Sequence, residues 1–334
     1  MTFMRDEIGE QPAAIERTLA ATRPAAAALA DDVRRRGCDV VVLVARGTSD
    51  HAAIYARYLL EARCGLVAGL AAPSLYTAYR APVDLRRALV IGVSQSGETP
   101  EISSSLAYAR ERGALTAGLT NGAGSELART ADHALVTAAG EERSVAATKT
   151  FTAQLAAVAA LAEALGASGL EGLDAVPEAV AGALAAGEAP AHAAARDLVE
   201  APAAACVARG LAFPVALEAA LKLKETTGLW AEGFSSADLR HGPKTAAAGL
   251  PALVFHGGGP LGGDVDEMAA ELRERGGRVV SFGPGREVPS PAVSEELAAF
   301  PLVVGAQLLA ERLATLRGRD PDRPPGLTKV TRTH

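Results

Sequence analysis

Residues 88–101 read Ala88-Leu89-Val90-Ile91-Gly92-Val93-Ser94-Gln95-Ser96-Gly97-Glu98-Thr99-Pro100-Glu101. The first six form a continuous apolar run, which predicts a strand buried on both faces. Pro100 suits the first position of a helix, where its missing N–H costs nothing. Thr99 is then a good N-cap. The polar loop Ser94-Gln95-Ser96-Gly97 therefore stands at the carboxyl end of a strand and at a helix N-terminus. Ligands of open α/β sheets bind at that end. A helix N-terminus offers an anion free N–H groups and partial positive charge. The hydroxyls of Ser94, Ser96 and Thr99 and the amide of Gln95 add neutral donors. Such a loop can hold a phosphate without Lys or Arg. A polar turn that only caps the helix is the plainer alternative, but turns rarely concentrate Ser-x-Ser-x-x-Thr. A G-x-S-x-G nucleophile elbow is ruled out because Ser96 stands where its second glycine belongs. The Walker pattern GxxxxGK[ST] is absent.

Outward from this stretch, short apolar strands alternate with helices. Val40–Val44 predicts a strand ending at Arg46-Gly47, with a helix over Asp50–Glu61. There Gly47-Thr48-Ser49 repeats the hydroxyl-rich arrangement and places two more hydroxyls near the same rim. Strands follow at Leu66–Leu70, Leu115–Leu119 and His133–Thr137, with helices at Pro100–Arg112 and Thr148–Leu165. Ala- and Gly-rich linker and helix occupy Gly166–Arg196. A second series then has strands at Ala203–Val207, Ala252–Phe255 and Arg278–Phe282, and helices at Pro214–Leu229, Asp264–Arg275 and Ala298–Arg317. This alternation predicts an α/β fold with parallel sheets covered on both faces. Ala45-Arg46-Gly47 recurs as Ala208-Arg209-Gly210, each ending a strand and opening a helix, which suggests two tandem copies of one unit. At 34.0 kDa two domains are the natural expectation. Residues 1–170 form the first with its N-terminal helix, 171–318 the second, and 319–334 an extended tail.

Composition excludes several classes. Hydrophobic residues make up 49% and charged residues 22%, ordinary for a globular chain. The net charge of −6 opposes a nucleic-acid surface. Arg34-Arg35-Arg36 is too short to change that and reads as a solvated helix end. Cys38, Cys64 and Cys206 have no metal spacing and read as free buried thiols. No metal or cofactor is expected. The N-terminus lacks an apolar signal region, and no run of about 18 uninterrupted apolar residues predicts a membrane span, so a cytoplasmic protein is expected. Of 33 basic side chains, 28 are Arg. The five Lys are Lys149, Lys222, Lys224, Lys244 and Lys329. A genome bias explains the scarcity, yet it gives each remaining amine a claim to function.

Glu218, Lys222 and Glu225 fall at i, i+4 and i+7, on one face of the predicted helix. By itself this is the solvated face of an amphipathic helix. Trp230 and Glu232 follow, and then Asp238-Leu239-Arg240-His241-Gly242-Pro243. A His in a Gly-Pro turn after a carboxylate helix is a candidate acid–base group near neutral pH. Lys329, in Leu327-Thr328-Lys329, carries an amine able to attack a carbonyl and form a Schiff base.

Together these residues resemble the tandem sugar-isomerase (SIS) domain family, and within it the isomerase half of glutamine–fructose-6-phosphate aminotransferases. The resemblance runs from Glu7 and Glu10-Gln11-Pro12 to Lys329. It is anchored by Gly47-Thr48-Ser49, Ser94–Thr99, Glu142 with Val145–Lys149, Ala216-Leu217-Glu218, Leu221–Glu225, His241-Gly242-Pro243 and Leu327-Thr328-Lys329. It implies two tandem SIS domains, each a mostly parallel sheet flanked by helices in a flavodoxin-like three-layer sandwich. Ser94, Gln95, Ser96 and Thr99 would hold a sugar 6-phosphate, and Thr48, Ser49, the Val145 backbone and Thr328 would line the same pocket. Glu225 resembles the base that moves a proton between C1 and C2. His241 resembles the ring-opening group supplied by a partner subunit, which implies a homodimer. Lys222 would stabilise the open chain, and Lys329 would condense with the keto group. Ala147 replaces the family's usual Ser, and Pro325-Gly326 replace its Arg-Asn. Thr2 stands where a glutaminase half would place its Cys nucleophile, so no use of glutamine is expected. The implied reaction is an amino-sugar-phosphate deaminase/isomerase, turning glucosamine 6-phosphate into fructose 6-phosphate and ammonia. A fructosamine-6-phosphate deglycase, another aldose–ketose isomerase, an aminotransferase-like enzyme without glutaminase, or a non-enzymatic sugar-phosphate sensor are the alternatives.

Overall fold

The computed structural model describes residues 2–329. The chain divides into two compact units. Of the described residues, the first-sheet unit holds Ala13–Glu142, Lys149–Leu170 and 328–329. The second-sheet unit holds 2–12, Arg143–Thr148 and Glu171–Leu327. The last five residues of the expected tail, 330–334, lie outside the described part.

The first sheet contains β1 (Val40–Val44), β2 (Val67–Leu70), β3 (Ala88–Val93), β4 (Leu115–Thr120) and β5 (His133–Val136). The strands are parallel and ordered β2-β1-β3-β4-β5. Every residue of β3 and β4 is buried, as central strands with helices on both faces require. The helix Lys149–Leu165 is buried without interruption from Lys149 to Ala162. Its sequence is apolar all round, so it serves as a core helix packed on the helix Thr48–Cys64.

The second sheet contains β6 (Ala203–Ala208), β7 (Trp230–Ser235), β8 (Ala252–Phe255), β9 (Val279–Gly283) and β10 (Val288–Pro289). Its order is β10-β9-β8-β6-β7, again all parallel. Counted from its own first strand, each sheet runs 2-1-3-4-5, the flavodoxin-like order, with its crevice beside the first and third strands. The sequence pattern missed β7 and β10. Gly233 interrupts the β7 pattern because a β-carbon there would lie 2.8 Å from Leu217 Cα. The glycine marks a close approach of the strand to the helix Phe213–Lys222, not a turn.

The Ala-Arg-Gly repeat has a structural counterpart. Gly47 and Gly210 have φ of 57° and 59°, in the left-handed region. Arg46 makes two hydrogen bonds to Glu101, at 3.1 and 3.0 Å, in the first turn of the helix after β3. Arg209 pairs at 2.9 Å with Asp264, in the first turn of the helix after β8. Each Arg thus ties the loop after its sheet's first strand to the helix after the third.

The apolar stretch Glu295–Leu316 is long enough to cross a membrane, yet 94% of its most apolar window is buried inside the protein, so it is a core helix. Cys38 and Cys206 are buried as expected, whereas Cys64 is only half-buried. Burial pushes the Cys206 thiol up to about 12 and Cys64 up to about 11, which leaves both unreactive.

Candidate active site

The loop after β3 is built by its own hydroxyls. Ser94 donates its amide to Leu119 O on β4, and Gln95 O accepts from the Asn121 amide at 3.0 Å. Gly97 N–H reaches Ser94 Oγ at 3.2 Å, and Glu98 N–H reaches Ser96 Oγ at 3.2 Å. Gly97 has φ of 66°, and a β-carbon there would sit 2.2 Å from Ser125 Oγ. Only glycine fits that turn. Thr99 occupies the N-cap position with extended backbone, but its side chain makes no cap hydrogen bond. Its Oγ1 lies 3.2 Å from Ser94 Oγ instead. The hydroxyls therefore gather over the helix N-terminus, where an anion would sit. Ser94 is buried, while Gln95, Ser96 and Thr99 are half-buried.

Thr48 and Ser49 form the first turn of the helix Thr48–Cys64, which starts two residues earlier than the pattern indicated. Ser49 is buried, and its Oγ accepts from Gln154 Nε2 at 2.9 Å. The same unit holds Lys329, whose Nζ lies 3.3 Å from Glu142 Oε2. The Glu142 side chain is fully buried and also accepts from the Thr150 amide at 3.1 Å. Thr328 beside it is exposed. Val145 belongs to the other unit, and its amide donates to Asp322 O at 3.3 Å.

The second-sheet unit holds the carboxylate cluster. The helix Phe213–Lys222 passes into a π-helical turn over Leu223–Thr227. The expected single α-helix through Leu229 therefore ends early. Thr226 and Thr227 hydroxyls bond back to the carbonyls of Lys222 and Leu223 at 2.8 and 2.6 Å, and Gly228 closes the turn with φ of 65°. Lys222 Nζ donates to Glu225 Oε2 at 2.6 Å and lies 3.4 Å from Glu218 Oε1. Side-chain exposures are 0% for Glu218, 1% for Lys222 and 24% for Glu225. This is not a solvated face: an ammonium is buried between two carboxylates. Such burial is costly unless every charge is compensated, and π-helical turns recur at functional sites. His241 ends the short helix Ser236–Arg240 and is exposed.

The geometry can be set against known proteins. A SIS-domain family model matches residues 36–164, which span the first sheet and its phosphate-loop candidate. A crystal structure described as a phosphosugar isomerase from Silicibacter pomeroyi is 36% identical, covers 96% of this chain and all of that one, and superposes with a TM-score of 0.86. The chain belongs to the SIS phosphosugar isomerase family. The glutamine–fructose-6-phosphate aminotransferase of Pyrococcus horikoshii is 35% identical over 98% of this chain. The chain spans 57% of that relative's length, so it matches the isomerase half. A glucosamine-6-phosphate deaminase from Thermotoga maritima, 24% identical with a TM-score of 0.81, covers 99% of this chain and all of that one, and shares the fold.

As a SIS protein, the chain brings together Ser94, Gln95, Ser96 and Thr99 in one loop, and Glu218, Lys222 and Glu225 on one helix and its π turn. Lys222 is buried, and its Nζ lies against the carboxylates of Glu218 and Glu225. Among the described residues, no protein group bonds Glu225 Oε1, which leaves that oxygen to act as an acceptor. Two features escaped the sequence reading. The Arg46–Glu101 pair was foreshadowed only by the Ala-Arg-Gly repeat. The Glu142–Lys329 pair joins residues 187 positions apart, beyond the reach of any local pattern.

Proposed function

We propose that this SIS protein converts glucosamine 6-phosphate into fructose 6-phosphate and ammonia. The observation that carries the reading is a buried ammonium, Lys222, holding one oxygen of a half-buried carboxylate, Glu225, at 2.6 Å. Such a carboxylate is oriented by its partner, as a general base must be. In the open-chain aldose, O1 gains a proton from solvent as the carboxylate takes the C2 proton, and an enolamine forms across C1–C2. Returning that proton to C1 leaves a C2 imine. Water adds to the imine carbon and ammonia departs, leaving the ketone. Lys329 can exchange into the same imine as a Schiff base, once its proton has been given up. The loop Ser94–Thr99 would anchor the 6-phosphate, with Thr48, Ser49, Val145 and Thr328 lining the sugar's path.

His241 would assist ring opening. Its side chain is exposed and makes no hydrogen bond among the described residues, which suits a group that serves the site of a second copy in a homodimer. The second-sheet unit would be a second SIS domain, since it repeats the strand order, the left-handed glycine and the Arg–carboxylate tie of the first. The domains would then divide near residue 170, except that residues 2–12 and Arg143–Thr148 pack with the second-sheet unit, with the tail from 319 carrying Lys329, in a cytoplasmic protein. A sensor needs only the phosphate loop. It has no use for a buried ammonium aimed at a carboxylate.

The base step is tested directly by incubating fructose 6-phosphate with the protein in D2O and following the C1 protons by NMR. Enzyme-dependent loss of one C1 signal is expected, and Glu225→Gln should abolish it. A native protein that binds the sugar phosphate without exchanging its protons would overturn the enzymatic reading.

A further inference from the structure

The second sheet carries its own loop at the position of the phosphate loop. His256 donates its amide to Phe282 O on β9, as Ser94 does to Leu119 O on β4. Three residues further on, Gly259 has φ of 68°, against 66° at Gly97. The residues between differ: Gln95-Ser96 is replaced by Gly257-Gly258. Toward β6 the space is taken, because the Glu295 carboxylate lies where a β-carbon on Gly259 would be. On the other side a cavity of about 320 Å³ opens at the carboxyl ends of β8, β9 and β10. That is the size range of small-ligand pockets.

We propose that this cavity is a second binding site, for a small phosphate monoester, distinct from the Ser94–Thr99 loop. Its polar lining is His256, Gly257, Gly258, Asp266, Arg286 and Ser290. The His256 side chain is 6% exposed, and its Nε2 is buried with no hydrogen-bond partner. Its Nδ1 lies 3.0 Å from Asp266 Oδ1 but is likewise buried without a hydrogen-bond partner. Ser290 Oγ is also buried without a partner. A buried polar atom left unpaired costs free energy, and a ligand atom would remove that cost. Arg286 reaches the same carboxylate at 2.7 Å and offers its remaining guanidinium N–H groups. Among the described residues, the amides of Gly257 and Gly258 have no acceptor. A β-carbon on Gly258 would meet nothing within 4 Å, so that stretch of backbone is open to an approaching ligand. Consecutive free amides form an anion-binding concavity. Asp266 can accept a ligand hydroxyl, so a phosphorylated polyol fits better than inorganic phosphate.

The experiment is calorimetric titration of the full chain with glucitol 6-phosphate, an unreactive open-chain sugar phosphate. Two binding events per chain are expected. Arg286→Ala should weaken one of them by about tenfold or more, and Ser96→Ala should weaken only the other. Gly258→Asp, which sets a carboxylate among the free amides, should remove the same event as Arg286→Ala. Circular dichroism of each variant checks folding. A single event that Ser96→Ala removes and both second-sheet variants leave untouched would overturn the proposal. If Ser96→Ala changes nothing while Arg286→Ala removes an event, the second site stands and the reading of the Ser94–Thr99 loop fails.

Discussion

Lys222→Met takes the cation from between two carboxylates while keeping most of the side chain's volume. Glu218, with a fully buried side chain, then loses the ammonium that lay 3.4 Å away. Removing one partner of a buried ion pair costs about 3–5 kcal/mol, because the other charge stays desolvated. Glu225 contributes little to that loss, since its side chain is 24% exposed and can turn to water. Urea denaturation followed by circular dichroism should show a loss of this size in the transition that unfolds the second-sheet unit, with its slope unchanged. The double variant Glu218→Gln/Lys222→Met removes both charges and should recover most of the loss. Turnover should not follow stability: both variants lose it, because Glu225 has lost its Nζ partner. A Lys222→Met protein within about 1 kcal/mol of the parent would refute the buried ion cluster.

Gly97→Ala forces a left-handed φ on a β-carbon that strikes Ser125, itself the N-cap of the helix Glu126–Thr130. Thermal melts should show a loss of about 1–3 kcal/mol, and sugar-phosphate affinity should fall with it. Lys329→Arg keeps a cation beside Glu142 but has no primary amine. Borohydride reduction in the presence of fructose 6-phosphate should add the sugar's mass to the native chain and none to the variant. Burial, reinforced by Arg286, pushes His256 down to about 4, from an ordinary value of about 6.5. Between those values the unfolded chain binds the proton more readily, so native stability falls as pH drops through that window. His256→Gln should flatten this part of the stability–pH curve in urea titrations; an unchanged slope would mean that His256 titrates normally.

Most strands and the loop Ser94–Thr99 were legible because their signals are local. Ala88–Val93 is continuous and apolar, and Pro100 marks the helix start, so strand, loop and helix fall within about 25 residues. β7 was hidden because Gly233 looks like a breaker when only the sequence is visible, and its reason is Leu217 on another element. The stripe Glu218–Lys222–Glu225 was visible as spacing, yet its burial was not. Periodicity reports which side chains share a face, and only the packed structure says whether that face meets water or protein. The π turn after Lys222 was equally unreadable, since it depends on Thr226 and Thr227 bonding back to carbonyls one turn earlier. Four of the five Lys are buried or ion-paired. Lys222 is buried between carboxylates, Lys149 is buried at a helix start, Lys329 pairs with Glu142 and Lys244 lies 3.4 Å from Glu271, while only Lys224 is exposed without a described role.

The central claim is that the Glu225 carboxylate turns an amino-sugar phosphate into a ketose phosphate. Its most direct test is to incubate the purified chain with glucosamine 6-phosphate and follow ammonia and fructose 6-phosphate together. Equal amounts of the two products are predicted, with none from Glu225→Gln. No ammonia from the native protein at saturating substrate would contradict it.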